Sequence, residues 1–163
     1  MNRIWAPWRI KYLLEDPKKN KGCLFCRFYR ERSDKRNFVL FRTDHCFVVM
    51  NIYPYNNGHL LVVPNRHVND THKLKDQERC DLWAAVETSK ALLKEVINPE
   101  GFNVGINIGK VAGAGIPGHV HVHIVPRWGG DVNFMPVVAQ TKVISQSLKE
   151  LYGALHHTYK KRH

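Results

Sequence analysis

The sequence predicts one α+β domain: an antiparallel sheet of about five strands, one long central helix and a C-terminal helix. Short apolar or alternating runs come as a group of three and a group of two, on either side of one long helical stripe. The 163 residues are 44% hydrophobic, enough for a real core and too much for a disordered chain. No internal repeat or low-complexity tract breaks this pattern.

Residues 1–36 read as a basic arm. Residues 1–37 hold eleven Lys/Arg against four Asp/Glu, so most of the formal net charge of +11 lies in the first quarter. Such an arm either draws in anionic partners or serves as a solubilising face. Within it, Trp5, Trp8 and Tyr12 of WAPWRIKYL either stack on a base or anchor the arm to its own domain or a second subunit. No stretch combines an apolar h-region with a cleavage site, and no apolar run approaches the ~20 residues of a membrane span. A cytoplasmic protein without membrane association is therefore expected.

From Phe38 the pattern changes, opening a core expected over 37–135. NFVLFRTDHCFVVM reads as strands 38–42 and 45–50 around a turn at Thr43-Asp44. HLLVVP (59–64) is a third strand, approached through the turn formers Asn56-Asn57-Gly58. Asp76 is the expected cap of a helix running to about Val96, with Leu82, Val86, Leu93 and Val96 on one stripe. Pro99 and Gly101 end it. FNVGINIG (102–109) alternates, with Phe102, Val104, Ile106 and Ile108 on one face and small or amide residues on the other. KVAGAGIPG (110–118) is a glycine-rich loop. In the last part, 136–163, Ile144, Leu148, Leu151 and Leu155 mark an amphipathic helix and a frayed tail.

The chemistry concentrates at HVHVHIV (119–125). On a strand, alternate side chains point to opposite faces. Val120, Val122 and Ile124 then pack into the core, while His119, His121 and His123 share the other face. Burying an imidazole without a partner costs roughly 2–7 kcal/mol, so a polar network or a solvated cleft is implied. A structural polar face, a metal site and a covalent catalyst acting on phosphorus all fit the spacing. The surroundings favour the last. Backbone N–H groups of the preceding loop can cradle phosphate oxygens, and Arg127 can neutralise a distal phosphate. A neutral imidazole can attack an α-phosphorus and expel the remaining polyphosphate. No carboxylate lies within the strand for an oxygen-rich hydrolytic metal site.

A second motif is Cys23-Leu24-Phe25-Cys26. Its C-x₂-C spacing clamps zinc through two thiolates, with a redox pair or two buried thiols as alternatives. The βαβ context of a redox motif is missing here. Cys46 and Cys80 read as small core residues.

HVHVHIV has the form His-φ-His-φ-His-φ-φ, where φ is apolar, and resembles the histidine-triad (HIT) nucleotide hydrolase and transferase superfamily. NIYPYNNGHLLVVPNRHV extends the likeness, so that it covers roughly 38–127. WAPWR, CLFC and VPRWGGDVNFMP resemble a bacterial subgroup related to diadenosine tetraphosphate phosphorylases. The resemblance implies an HIT-like fold in which His121 is the nucleophile, flanked by His119 and His123, with His59 in the same network. It implies Asn51 at the ribose, Asn107 near the phosphates, and the backbone of Gly115 and Ile116 at the α-phosphate. Where the family often carries Ser or Thr, this chain has Ile116-Pro117, which leaves only the backbone there.

It further implies a closed structural zinc site of Cys23, Cys26, His67 and His119, and a homodimer. If His67 is instead a plain surface histidine after the strand, His45 and His72 are the substitutes to check. The implied activity is cleavage of a dinucleoside polyphosphate at its α-phosphorus. Histidine at position 123 points to hydrolysis, the subgroup likeness to phosphorolysis. Small AMP conjugates are a rival substrate class. A zinc-stabilised nucleotide- or RNA-binding module without turnover is a rival of another kind, supported by the basic arm with its Trp and Tyr residues. A small-molecule nucleotide is the expected partner, with nucleic acid left open by the arm.

Overall fold

Two uninterrupted apolar runs, CFVVM and LLVVP, form the centre of the sheet because helices cover both of its faces there. The computed structural model describes residues 22–131, 144 and 146–162. Trp5, Trp8 and Tyr12, and residues 132–136 of VPRWGGDVNFMP, lie outside the described residues. The elements run α1 (Leu24–Glu31), α2 (Asp34–Asn37), β1 (Val39–Arg42), β2 (Cys46–Met50) and β3 (Leu60–Pro64). They continue with a 3₁₀ turn (Thr71–Lys73), α3 (Asp76–Ile97), β4 (Gly101–Ile106), β5 (Val122–Arg127) and α4 (Leu148–Arg162). The five strands pair antiparallel in the order β1-β2-β3-β5-β4.

The larger core joins one sheet face to α3 and α4. It includes Leu40, Val48, Met50, Leu60, Val62, Val122 and Ile124 from the sheet, with Leu82, Val86, Leu93, Leu151 and Leu155 from the helices. The smaller core lies on the opposite face, where Phe25 of α1 packs on Val39, Phe47, Val49, Leu61 and Val63. A bulge between Val39 and Phe41 lets Leu40 and Phe41 both serve the larger core. Phe41 there stacks on Tyr159 of α4, rings 4.5 Å apart.

Several boundaries differ from the sequence expectation for identifiable reasons. Asp76 is the first helical residue of α3 and not its cap. The Glu78 carboxylate reaches back to accept the Lys75 N–H at 2.7 Å. At the other end Asn98 takes a left-handed conformation ahead of Pro99, as a stop there requires. β4 ends at Ile106, so Asn107 and Ile108 belong to the loop, which turns through Gly109 at φ +84°. Ile144 precedes α4, which starts at Leu148. β5 begins at Val122 because the Val120 N–H donates to the Val68 carbonyl at 2.7 Å, off the sheet ladder. The alternation survives: Val120, Val122 and Ile124 still enter the larger core. Cys46 is buried, but Cys80 lies on the outer face of α3 and is exposed.

Candidate active site

The other face of segment 119–123 carries three imidazoles in line. The rings of His121 and His123 are 4.8 Å apart, and Phe25 of α1 meets the His119 and His121 rings edge-on at 5.5 and 5.0 Å. The register carries this arrangement into the sheet: His123 pairs with Leu61 of β3 and Gly105 of β4.

Backbone groups determine which nitrogen of each ring holds a proton. The His121 Nδ1–H donates to the His119 carbonyl oxygen at 2.9 Å. A carbonyl only accepts, so the proton sits on Nδ1 and the Nε2 lone pair of neutral His121 remains free. Burial pushes the His121 ring below its ordinary range, the His119 carbonyl opposing this, which favours the neutral form. His59, immediately before β3, accepts the Tyr55 backbone N–H on Nδ1 at 3.0 Å. Its proton is then on Nε2, which donates to His123 Nδ1 at 3.0 Å. That leaves the His123 proton on Nε2. Asn51 supports the pair, its Nδ2 lying 3.3 Å from His59 Nδ1 while its Oδ1 accepts the Tyr53 N–H at 2.9 Å. Asn51 is thus both a turn former and a member of the site.

His121 and His123 open onto a largely apolar cleft, a lining that suits a small-molecule ligand. Asn51, Gly115 and Ile116 line it with them, so these sequence-predicted residues converge. Asn107 and Arg127 are not among the lining residues. Arg127 lies at the far end of β5, where its guanidinium donates to both Asp131 carboxylate oxygens (2.5 and 3.0 Å) and to Asn103 Oδ1 (2.8 Å). A carboxylate four residues on has captured the cation expected at a phosphate.

Beside the triad, the Sγ atoms of Cys23 and Cys26 and one ring nitrogen each of His67 and His119 lie within 4.8 Å of one another. Zinc bonds of ~2.3 Å to sulfur and ~2.0 Å to nitrogen place tetrahedral ligand atoms about 3.3–3.8 Å apart. The observed Cys23–His119 and Cys26–His67 separations are both 3.3 Å, and Cys26–His119 is 3.7 Å. The His119 Nε2–H donates to the Pro64 carbonyl at 2.8 Å, leaving the Nδ1 lone pair aimed at the thiols. Burial brings His119 down to about 4, so it is neutral, as a ligand must be. The residues fit a zinc ion. Among the described residues His45 and His72 are not part of this cluster, and His72 Nδ1 lies 3.0 Å from Asp70.

The profile of the HIT domain family matches residues 32–130. The chain is 41% identical to the AP-4-A phosphorylase of Mycobacterium tuberculosis, over 92% of this chain and 80% of that protein. This chain belongs to the HIT domain family. A second HIT relative, the asymmetrical bis(5'-nucleosyl)-tetraphosphatase of Schizosaccharomyces pombe, is 37% identical over 57% of this chain and half of its own length. Among solved structures, a zinc-bound histidine triad protein of Mycobacterium smegmatis superposes with a TM-score of 0.69 at 21% identity, over 86% of this chain and 95% of that one. That likeness shows the HIT fold.

The HIT site here also holds residues that sequence reasoning missed. Leu24, Phe25 and Phe28 of α1 and Ile52, Tyr53 and Tyr55 after β2 form much of the cleft wall. The first three share one helix face by their i, i+1, i+4 spacing, a signal present in LFCRF. The Tyr55 ring lies parallel to that of His123 at 5.8 Å.

Proposed function

We propose that this HIT protein is an enzyme that cleaves a dinucleoside polyphosphate of the diadenosine tetraphosphate type at its α-phosphorus, through a nucleotidyl intermediate on His121. The observation that carries this is the hydrogen bond from His121 Nδ1–H to the His119 carbonyl, which leaves Nε2 as a lone pair in the apolar-lined cleft. The His121 Nε2–phosphorus bond forms as the bond from that phosphorus to the bridging oxygen breaks. The leaving polyphosphate departs as an anion, accepting a hydrogen bond from His123 Nε2–H. The positive charge that develops on the His121 ring is shared through Nδ1–H with the His119 carbonyl. An oxygen of water or phosphate then attacks the same phosphorus and frees His121. Backbone N–H groups at Gly115 and Ile116 would stabilise the equatorial oxygens. The apolar wall of Leu24, Phe28 and Ile52 suits a base, and Asn51 lies where a ribose would follow. Arg127 and Asn107, both expected near phosphates, do not line the cleft.

Cys23, Cys26, His67 and His119 would hold zinc, which when bound supplies a structural cross-link between α1, the loop after β3 and the triad segment. Thiolates that bind metal must stay reduced, which supports a cytoplasmic site. Among the described residues no helix is long and apolar enough to cross a membrane. We read residues 1–163 as one domain, with the arm 1–36, the core 37–135 and the last part 136–163. α1 and α4, from its two ends, both pack on the central sheet. A two-fold homodimer is part of this reading, supported by edge strand β4, whose Val104 is 38% exposed, and by exposed Ile108 and Val111 beside it.

The test is incubation with diadenosine tetraphosphate, with and without inorganic phosphate, and identification of the products. By this mechanism ATP appears in either case, accompanied by ADP where phosphate is the acceptor and by AMP where water is. The relatives' names point to phosphorolysis in one and hydrolysis in the other. His121→Asn should abolish turnover while retaining substrate binding. Absence of cleavage under both conditions would transfer the reading to small AMP conjugates or to binding alone.

A further inference from the structure

α1 is held in place very differently at its two ends. Its C-terminal end is tied into the fold, since the Arg42 guanidinium donates to the Phe28 carbonyl at 2.9 Å while gripping Asp34 at 2.6 Å. Among the described residues its N-terminal end has no such fastening. The cap residue Cys23 makes no side-chain cap, and the first turn carries no acidic residue. An eight-residue helix has little stability of its own in water. What its first turn does offer is the pair of thiols, facing His119 and His67 at 3.3 Å.

The two cysteines bracket Leu24 and Phe25, and with Phe28 one turn on these residues form the cleft wall nearest the triad. The apolar wall and the ligand pair are therefore the same turn of helix. We propose that metal occupancy of the Cys23–Cys26–His67–His119 cluster sets the affinity of the cleft for the nucleoside, by fixing the Leu24–Phe28 wall. The ion thus does more than stabilise the fold. This rests on the reading of the cleft as a nucleoside site. Without the ion, the first turn of α1 is held, among the described residues, by the packing of Phe25 on Val39, Phe47, Val49, Leu61 and Val63 and by its edge contacts to His119 and His121, with no metal bond to fix Leu24 beside it. The wall then samples positions that leave the base partly in water, while the sheet stays in place and His121 and His123 keep their bonds to the His119 carbonyl and to His59.

The test measures AMP binding by calorimetry to the zinc-loaded protein and to the same protein stripped by chelation, with circular dichroism confirming that the stripped form is folded. The expected result is at least a tenfold loss of AMP affinity on stripping, recovered when zinc is restored. Equal affinity in the two forms overturns the inference while leaving the nucleoside site intact. No AMP binding by the loaded protein overturns the site itself. Should the stripped protein unfold, Cys23→Ala serves instead. It removes one ligand and weakens zinc binding, so at a zinc level that saturates the parent but not the variant AMP affinity should fall several-fold, and it should recover as zinc is raised. Unchanged affinity in that variant overturns the inference.

Discussion

The His119 carbonyl accepts the Nδ1–H of His121 at 2.9 Å, so the residue that would hold a metal through its ring also fixes the proton of the proposed nucleophile through its backbone. Two functions meet in one peptide unit. The Cys23 and Cys26 thiols face the ring of His119, its Nε2–H is pinned to Pro64, and its carbonyl has little freedom left. The tautomer of His121 therefore does not depend on a carboxylate, in contrast to a serine-type triad.

That arrangement sets a pH profile. Burial holds His121 below the ordinary imidazole value of about 6.5, and protonation of Nε2 would remove the attacking lone pair. Activity is thus retained as pH falls through 6.5 and is lost only below it. The acid limb of kcat/KM, which reports the free enzyme, should fall below 6.5. An acid limb at or above that value would place the titrating group elsewhere.

Gly58 controls the approach to His59. Its φ is +76°, and a Cβ there would lie 2.7 Å from Ile97 Cδ1 and 3.0 Å from Leu93 Cδ2. Gly58→Ala combines backbone strain with overpacking of the α3 face, at a cost of about 1–3 kcal/mol. Because His59 follows directly, the His59–His123 bond should loosen too. Urea denaturation should show the loss of stability, and turnover at saturating substrate should fall with it. Full activity in a destabilised variant would show that His59 holds its place without the turn.

The parts of this site that are legible in the sequence are those governed by local rules. Period-2 alternation alone assigns Val120, Val122 and Ile124 to the core and the three histidines to the opposite face. The spacing of the two thiols singles out Cys23 and Cys26 as a metal clamp, with the family likeness supplying both His67 and His119. What is not legible depends on partners distant in sequence. Nothing in LFCRF says that α1 lies across the back of the sheet, so Phe25 and Phe28 could not be assigned to the cleft. The Val120–Val68 bond that shortens β5 joins residues 52 apart. Arg127 differs, because Asp131 stands four residues on in plain view. Its competition with a phosphate is a local effect that the i, i+4 spacing itself displays.

The loop carrying His67 is anchored by its neighbour. Arg66 donates to the Glu78 carboxylate at 2.9 and 2.6 Å and to the Lys73 carbonyl at 2.5 Å. The hydrogen bond from Arg66 is the main reason that the Glu78 carboxyl is held down to about 2. With its folded value depressed, Glu78 contributes stability that is present above about 4.5 and lost as pH falls toward 2. The half-exposed Arg66 is screened by solvent, which limits this to about 1 kcal/mol. Glu78→Gln should lower stability at pH 7 by about that amount and flatten its dependence between pH 4.5 and 2 in urea titrations. Competition with a chelator should also show weaker zinc binding. A variant as stable as the parent at pH 7 would reduce the pair to a surface contact.

The two remaining cysteines give a readout of the fold itself. Cys46 is fully buried on β2, its Sγ 3.0 Å from Thr43 Oγ1. Burial pushes its thiol up to about 12, with Asp81 adding to the effect and the Thr43 bond opposing it. At pH 8 almost no thiolate exists there, and the thiolate is the reactive form. Cys80 stands exposed on α3. A thiol-specific disulfide reagent at pH 8 should therefore label Cys80 in the native, zinc-loaded protein. Cys23 and Cys26 should react only after chelation, and Cys46 only in denaturant. Since Asp81 accepts both the Thr43 hydroxyl at 2.6 Å and the His45 N–H at 2.8 Å, it closes the β1–β2 turn onto α3 above Cys46. Asp81→Ala should open that turn and bring Cys46 labelling into native conditions, at a cost of about 1–3 kcal/mol in stability. Protection of Cys46 in that variant would mean that the strands alone shield the thiol.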